Sequence, residues 1–121
     1  MDTQGIKMKH EMLLTAEPFE LIKSGQKTIE LRLNDLKRQA IQVGDEITFY
    51  RTDDQSHTIL TQVLALHYFD SFEELYHQLP LEKCGYTVDN IVEASPKDME
   101  NYYSKEQQKR YGVVGIELRL I

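Results

Sequence analysis

The fold is decided by the stretch Gly25-Gln26-Lys27-Thr28-Ile29-Glu30-Leu31-Arg32. From Thr28 onward the residues alternate: Ile29, Leu31 and Leu33 point one way, Thr28, Glu30 and Arg32 the other. Successive strand side chains leave opposite faces, so this is a strand with one apolar and one polar face. Just upstream, Thr15-Ala16-Glu17-Pro18 introduces a helix. Proline suits a first helical position because its missing N–H would be unpaired there anyway. Phe19, Leu21 and Ile22 supply the stripe to be buried, and Gly25 ends the helix by entering the left-handed region at no steric cost.

Residues 1–7 are expected to fray as a flexible N-terminus, with one domain over 8–121. Residues 9–15 read as a first strand with Met12 and Leu14 on one face. After the signature strand, 34–39 is a polar connection with room for a helical turn. Val43-Gly44-Asp45 is a turn, and 46–51 alternates again with Ile47 and Phe49 inside. A polar hairpin loop over 52–57 leads into 58–69, whose β-branched and apolar residues predict a long bent strand. Ser71 caps a helix over 72–79, with Glu74 placed for a capping box and Pro80 as the stop. A short helix is expected over 89–93. Ser95-Pro96 opens another reaching about Gln108, with Met99, Tyr102 and Tyr103 as its apolar residues. Tyr111-Gly112 breaks it, and 113–121 is a final strand with Val114, Ile116, Leu118 and Leu120 on one face. The order β-α-β-β-β-α-α-α-β has no βαβ alternation. It predicts an α+β domain, a small, mainly antiparallel sheet curled into a barrel with helices packed outside.

Composition narrows the function classes. With 121 residues the chain supports one core. The longest apolar run, 63–66, falls far short of the roughly 20 residues a membrane helix needs. Residues 1–9 lack the apolar segment of a signal peptide, so the expected compartment is the cytoplasm. Cys84 is alone and forms no intrachain disulfide. His10, His57, His67 and His77 stand at no metal-ligand spacing, so no metal or cofactor is expected. The net charge of -6 is uneven: residues 70–106 hold nine acids and three bases, which alone gives -6. Lys23, Lys27, Arg32, Lys37 and Arg38 make the first third locally basic. Such a chain is poorly suited to non-specific duplex DNA binding, which rests on summed phosphate neutralisation. A local basic groove for a short or single-stranded anion fits it better.

The linked pieces resemble the ASCH domain family, whose barrel is related to PUA RNA-binding domains. The resemblance is carried by Ile22-Lys23-Ser24-Gly25-Gln26-Lys27-Thr28-Ile29-Glu30-Leu31-Arg32 and then Val43-Gly44-Asp45-Glu46-Ile47-Thr48-Phe49. It is carried also by the closing run from Tyr103 through Lys109-Arg110-Tyr111-Gly112-Val113. It implies a PUA-like barrel and a cleft beside the signature strand that binds RNA or a nucleotide-like small molecule. One bacterial branch is an amidohydrolase acting on N4-acetylcytidine, with a Lys, a Thr three residues later and a later Glu. Lys27 matches the lysine, Glu30 stands where that branch has threonine, and the glutamate position falls near Cys84-Gly85, with Glu82 close by.

Lys27, Thr28, Glu30 and Arg32 present a cation, a hydroxyl, a carboxylate and a guanidinium, the last three about 6.6 Å apart along one strand face. Arg32 or Lys27 is suited to phosphate or a carbonyl oxygen, and Glu30 to an exocyclic amine. In a hydrolytic alternative, Glu30 activates water and Lys27 stabilises the oxyanion. In the plainest alternative, Glu30 and Arg32 form a structural ion pair. Lys37 and Arg38 extend the basic surface, and Tyr103, Arg110 and Tyr111 offer an aromatic and basic combination suited to bases. A third class, a protein-interaction module, would use the acidic helical region.

Overall fold

The computed structural model describes residues 7–121. Of the expected fraying segment, 1–6 lies outside the described residues. The strands are β1 (Lys9–Leu14), β2 (Ile29–Leu33), β3 (Glu46–Arg51), β4 (Asp54–Phe69) and β5 (Val113–Leu120). The helices are α1 (Ala16–Lys23), α2 (Leu36–Gln39), α3 (Phe72–Gln78) and α4 (Lys105–Tyr111). Between α3 and α4 run 3₁₀ turns at Leu81–Cys84, Ile91–Glu93 and Pro96–Asn101.

The five strands form one sheet in the order β1-β3-β4-β5-β2. Three neighbour pairs are antiparallel, as expected, and β1 runs parallel to β3. The exception follows from connectivity. A parallel neighbour needs a long crossover, and α1, β2 and α2 together supply it. The sheet curls until its two free edges meet across a seam. There Arg32 Nη2 on β2 donates to the Leu13 carbonyl of β1 at 2.8 Å. A side chain, not a backbone ladder, spans this seam, so the fold is a half-barrel.

Two apolar clusters flank the sheet. Met12, Leu14, Phe19, Ile22, Ile47, Phe49, Val114, Ile116 and Leu118 fill the inside of the curl. Ile29, Leu31, Leu33, Val113, Phe72, Leu75 and Cys84 pack on the outer face. The strict alternation of β2 is therefore real, but its apolar residues face outward, under α3 and the Leu81–Cys84 turn. Its polar residues face inward: Glu30 sits opposite Ile116, and Arg32 opposite Val114. Each fully buried Ile or Leu contributes on the order of 1.5–3 kcal/mol, which holds this edge strand in register.

Several expectations are refined. The hairpin loop is shorter than 52–57, because β4 begins at Asp54 and Arg51 pairs with it. Polar side chains do not prevent a ladder where both faces are wet. The bend in β4 comes from a register shift between Val63 and Ala65, as one extra residue kinks a strand. Ser71 accepts from the Glu74 amide at 3.2 Å, which makes half of the expected capping box. The helix expected from 96 to 108 is interrupted. Ser95 with Asp98 and Ser104 with Gln107 each form a complete box, so the chain restarts at Ser104. The short helix expected over 89–93 is the 3₁₀ turn Ile91–Glu93. Leu120 is exposed, beyond the inner row.

The acidic later third lies on the surface, whereas of the five bases of the first third only Lys23 and Lys37 are exposed. Glu73, Glu74, Glu82, Asp89, Glu93, Glu100 and Glu106 are exposed to solvent, whereas Asp98 is half-buried and accepts from the Tyr86 hydroxyl at 2.6 Å. No described helix is long and apolar enough to cross a membrane.

Candidate functional site: a buried lysine, glutamate and arginine

The α1-to-β2 turn places Lys27. Gly25 adopts φ 87°, and the Lys27 amide donates back to the Leu21 carbonyl at 3.0 Å. Thr28 is held on both sides through its backbone: its amide donates to the Lys83 carbonyl at 2.9 Å, and its carbonyl accepts from the Leu118 amide at 2.8 Å. The chain thereby delivers three charges to one point. Lys27 Nζ lies 2.7 Å from Glu30 Oε1, and Arg32 Nε lies 2.6 Å from Glu30 Oε2. Glu30 is 3% exposed and Lys27 9%, so the cluster is part of the interior rather than a wet strand face.

Burial pushes the Glu30 carboxyl up, but the charges and N–H groups of Lys27 and Arg32 together overcome it and hold the group below the usual carboxylate range. Arg32 moves the other way. Burial opposes its charge, and Glu30 foremost, then Tyr103, raises its affinity for the proton. The cluster thus sets two basic side chains against a single carboxylate. Oε1 of Glu30 is held by the Lys27 ammonium and Oε2 by the Arg32 guanidinium, so each carboxylate oxygen faces one cation.

The cluster is roofed. In the turn Leu81–Cys84 and Gly85, a Cβ built on Gly85 would lie 3.2 Å from Lys27 Cδ. Cys84 is buried here beside Lys27, and burial pushes its thiol up to about 12, so it stays protonated and is a weak nucleophile. Glu82 is exposed and is not drawn into the cluster. On the other side Tyr103 stacks on Phe72 with ring centroids 5.9 Å apart. Gln108 fixes that corner, accepting from the Phe72 amide at 3.1 Å and donating to the Tyr103 carbonyl at 3.3 Å.

The other expected site residues disperse. Arg38 is engaged with Asp35, the N-cap of α2, at 3.2 Å, while Lys37 is exposed. The Arg110 guanidinium lies over the Tyr111 ring at 5.3 Å, and both line a groove of about 410 Å³ with Asn34, Tyr68 and Lys109. Neither that groove nor a larger one of about 800 Å³ beside it is lined by Lys27, Glu30 or Arg32. Leu13 and Gln108 went unrecognised as parts of the site in the sequence, and Cys84-Gly85 was marked only through the family resemblance. Gly85 carried one readable signal, a glycine after an apolar turn, and it does take a positive φ of 113°. No group of three or more His, Cys, Asp and Glu side chains suited to a metal occurs among the described residues.

A curled mixed sheet with helices outside, and a charged cluster on its edge strand, defines a PUA-like half-barrel. The chain belongs to the ASCH domain family, whose signature matches residues 12–121. It is similar to the crystal structure of the hypothetical protein PH0355, with 36% identity, 94% of this chain and 100% of that one covered, and a TM-score of 0.79. It is similar to the solution structure of protein PF0455 from Pyrococcus furiosus, at 34% identity, 94% and 98% coverage, and a TM-score of 0.72. A ZmASCH mutant protein from Zymomonas mobilis shares the fold at 16% identity, with 93% and 68% coverage and a TM-score of 0.66. No curated protein matches the chain.

Proposed function

We propose that this ASCH domain binds RNA or a nucleotide-like ligand, with Lys27, Glu30 and Arg32 as the polar recognition cluster. The observation that carries this reading is a buried cluster that sets two basic side chains against one carboxylate. A buried charge without full compensation is costly, and a ligand bringing a phosphate or carbonyl oxygen would offset the second cation. The family is generally thought to bind RNA, which agrees with this chemistry. Because the cluster is roofed by Leu81–Gly85, ligand access requires that segment to shift.

Binding is favoured over amide hydrolysis by the state of Glu30. A carboxylate held below its usual range is a weak general base, and the protonated Cys84 thiol supplies no nucleophile. The test is titration with short single-stranded RNAs and a panel of free and acylated nucleosides, read by calorimetry and mass spectrometry. Lys27→Met and Arg32→Met are expected to weaken binding at least tenfold while circular dichroism stays native, and no nucleoside is turned over. Unchanged binding by both variants would sink the proposal. Turnover abolished by Glu30→Gln would replace it with the hydrolase.

A further inference from the structure

On the inner sheet face one transverse row reads Arg32 on β2, Val114 on β5 and Tyr68 on β4, because Arg32 pairs with Val114 and Tyr68 pairs with the same residue from the other side. The row below it is Glu30, Ile116 and Leu66. Directly opposed strand residues share a face, and two strand spacings amount to about 10 Å. Tyr68 and Arg32 are therefore row partners, yet their environments differ. Arg32 is enclosed, whereas Tyr68 is 54% exposed. Tyr68 therefore ends the row with its ring open to solvent, beside the one guanidinium of that row.

Tyr68 also lines the groove of about 410 Å³, together with Asp70, Glu74, Lys109, Arg110 and Tyr111. The cations and carboxylates of this lining balance in number, which does not suit a bare anion. It suits a group with three parts: a flat face, amine donors and a phosphate. An unpaired nucleobase with its phosphate has all three. We infer that the groove around Tyr68 is a second recognition site, separate from the buried cluster, that stacks one unpaired base of single-stranded RNA on the Tyr68 ring. In this arrangement Asp70 and Glu74 accept from the base's exocyclic amine, as carboxylates do from cytosine N4. Lys109 and Arg110 take the adjoining phosphate, with Arg110 held in place by its stacking over Tyr111. The groove thus continues the inner-face row outward from Arg32. The inference rests on the RNA-binding reading above and adds to it a location, a base class and a single-stranded form.

The experiment measures anisotropy of labelled oligocytidine and oligouridine with the full chain, alongside the fluorescence of a 2-aminopurine placed in the oligocytidine. Tyr68→Ala is expected to weaken oligocytidine binding about tenfold or more, within the range of one lost base stack, and to release the 2-aminopurine quench. Tyr68→Phe should keep both. Oligocytidine should bind more tightly than oligouridine, and the double variant Asp70→Asn, Glu74→Gln should narrow that gap. Equal affinity of wild type and Tyr68→Ala, with Lys27→Met still weakening binding, would overturn this site and leave the buried cluster's role intact. Failure of the wild-type chain to bind either oligonucleotide would overturn both.

Discussion

Two carboxylates are buried in the half-barrel, and their surroundings differ in kind. Asp45, in the turn before β3, accepts from the Met8 amide at 3.1 Å, from the Gln42 amide at 2.9 Å and lies 2.9 Å from His10 Nε2. Both of its oxygens are used, and the effect is mechanical: the start of β1 is clasped to the turn that leads into β3. Glu30 has two basic side-chain partners and no backbone donor. Both carboxyls are held below their ordinary range, against burial, by their partners. Complete satisfaction by neighbouring backbone marks a structural acid. Glu30 is held by mobile side chains alone, which under the proposed reading lets a ligand take the place of one of them.

The contrast is sharpest in the first expected outcome. Glu30→Gln removes the only negative charge from between Lys27 and Arg32 and should lower stability by about 3–5 kcal/mol, the range for breaking a buried ion pair, measured by urea unfolding. Asp45→Asn leaves a polar group of the same shape and should cost less, about 1–3 kcal/mol, with RNA binding unchanged. If Asp45→Asn weakened binding as much as Lys27→Met, the division into structural and ligand-facing acids would collapse.

The pH response follows from the same pair. A carboxyl whose folded pKa is depressed contributes stability that is present above its unfolded pKa and lost as pH falls through the folded value. Stability should therefore hold steady above the ordinary carboxylate range and decline on acidification below it. Asp45→Asn should flatten part of that decline in a pH series of denaturation midpoints, and an unaltered slope would show that Asp45 is not linked to folding.

The smallest expected effect concerns the roof. Gly85→Ala places a side chain at φ 113° and brings its Cβ to 3.2 Å from Lys27 Cδ. It should cost about 1–2 kcal/mol, within the range for a non-glycine residue held in a rarely populated backbone region. Because the flexible lysine is what must yield, ligand affinity should change along with stability. A change in stability alone would place the roof outside the binding event.

How much of this was legible beforehand depends on how locally each feature is encoded. The alternation of 28–33, the Gly25 stop and the Ser71 and Ser95 caps are statements about neighbouring residues, and the structure keeps them, whereas Pro18 falls at the third helical position of α1 rather than the first. The interruption of the 96–108 helix was also written locally, in Ser104 and Gln107, but a helical apolar pattern running across it concealed the restart. Lys27 with Glu30 was visible as a spacing of three, and Glu30 with Arg32 as one strand face. The roof over them was marked only by the family resemblance at Cys84-Gly85, since Lys83 and Gly85 are more than fifty residues from Lys27 and no local pattern joins them. Nothing local marked Tyr68 either, because its importance comes from standing in one row with Arg32.

For the segment Gly25 to Arg32, the sequence alone determined a helix end, a strand and two faces of opposite chemistry, because those depend only on side-chain period and backbone sterics. Only the tertiary structure decided that the apolar face looks outward and the charged face inward, and that both are buried. The reason is physical: β2 is the last strand of a curled sheet, so which side is interior depends on the direction of curl and on what packs behind it. Neither can be read from the period of the strand.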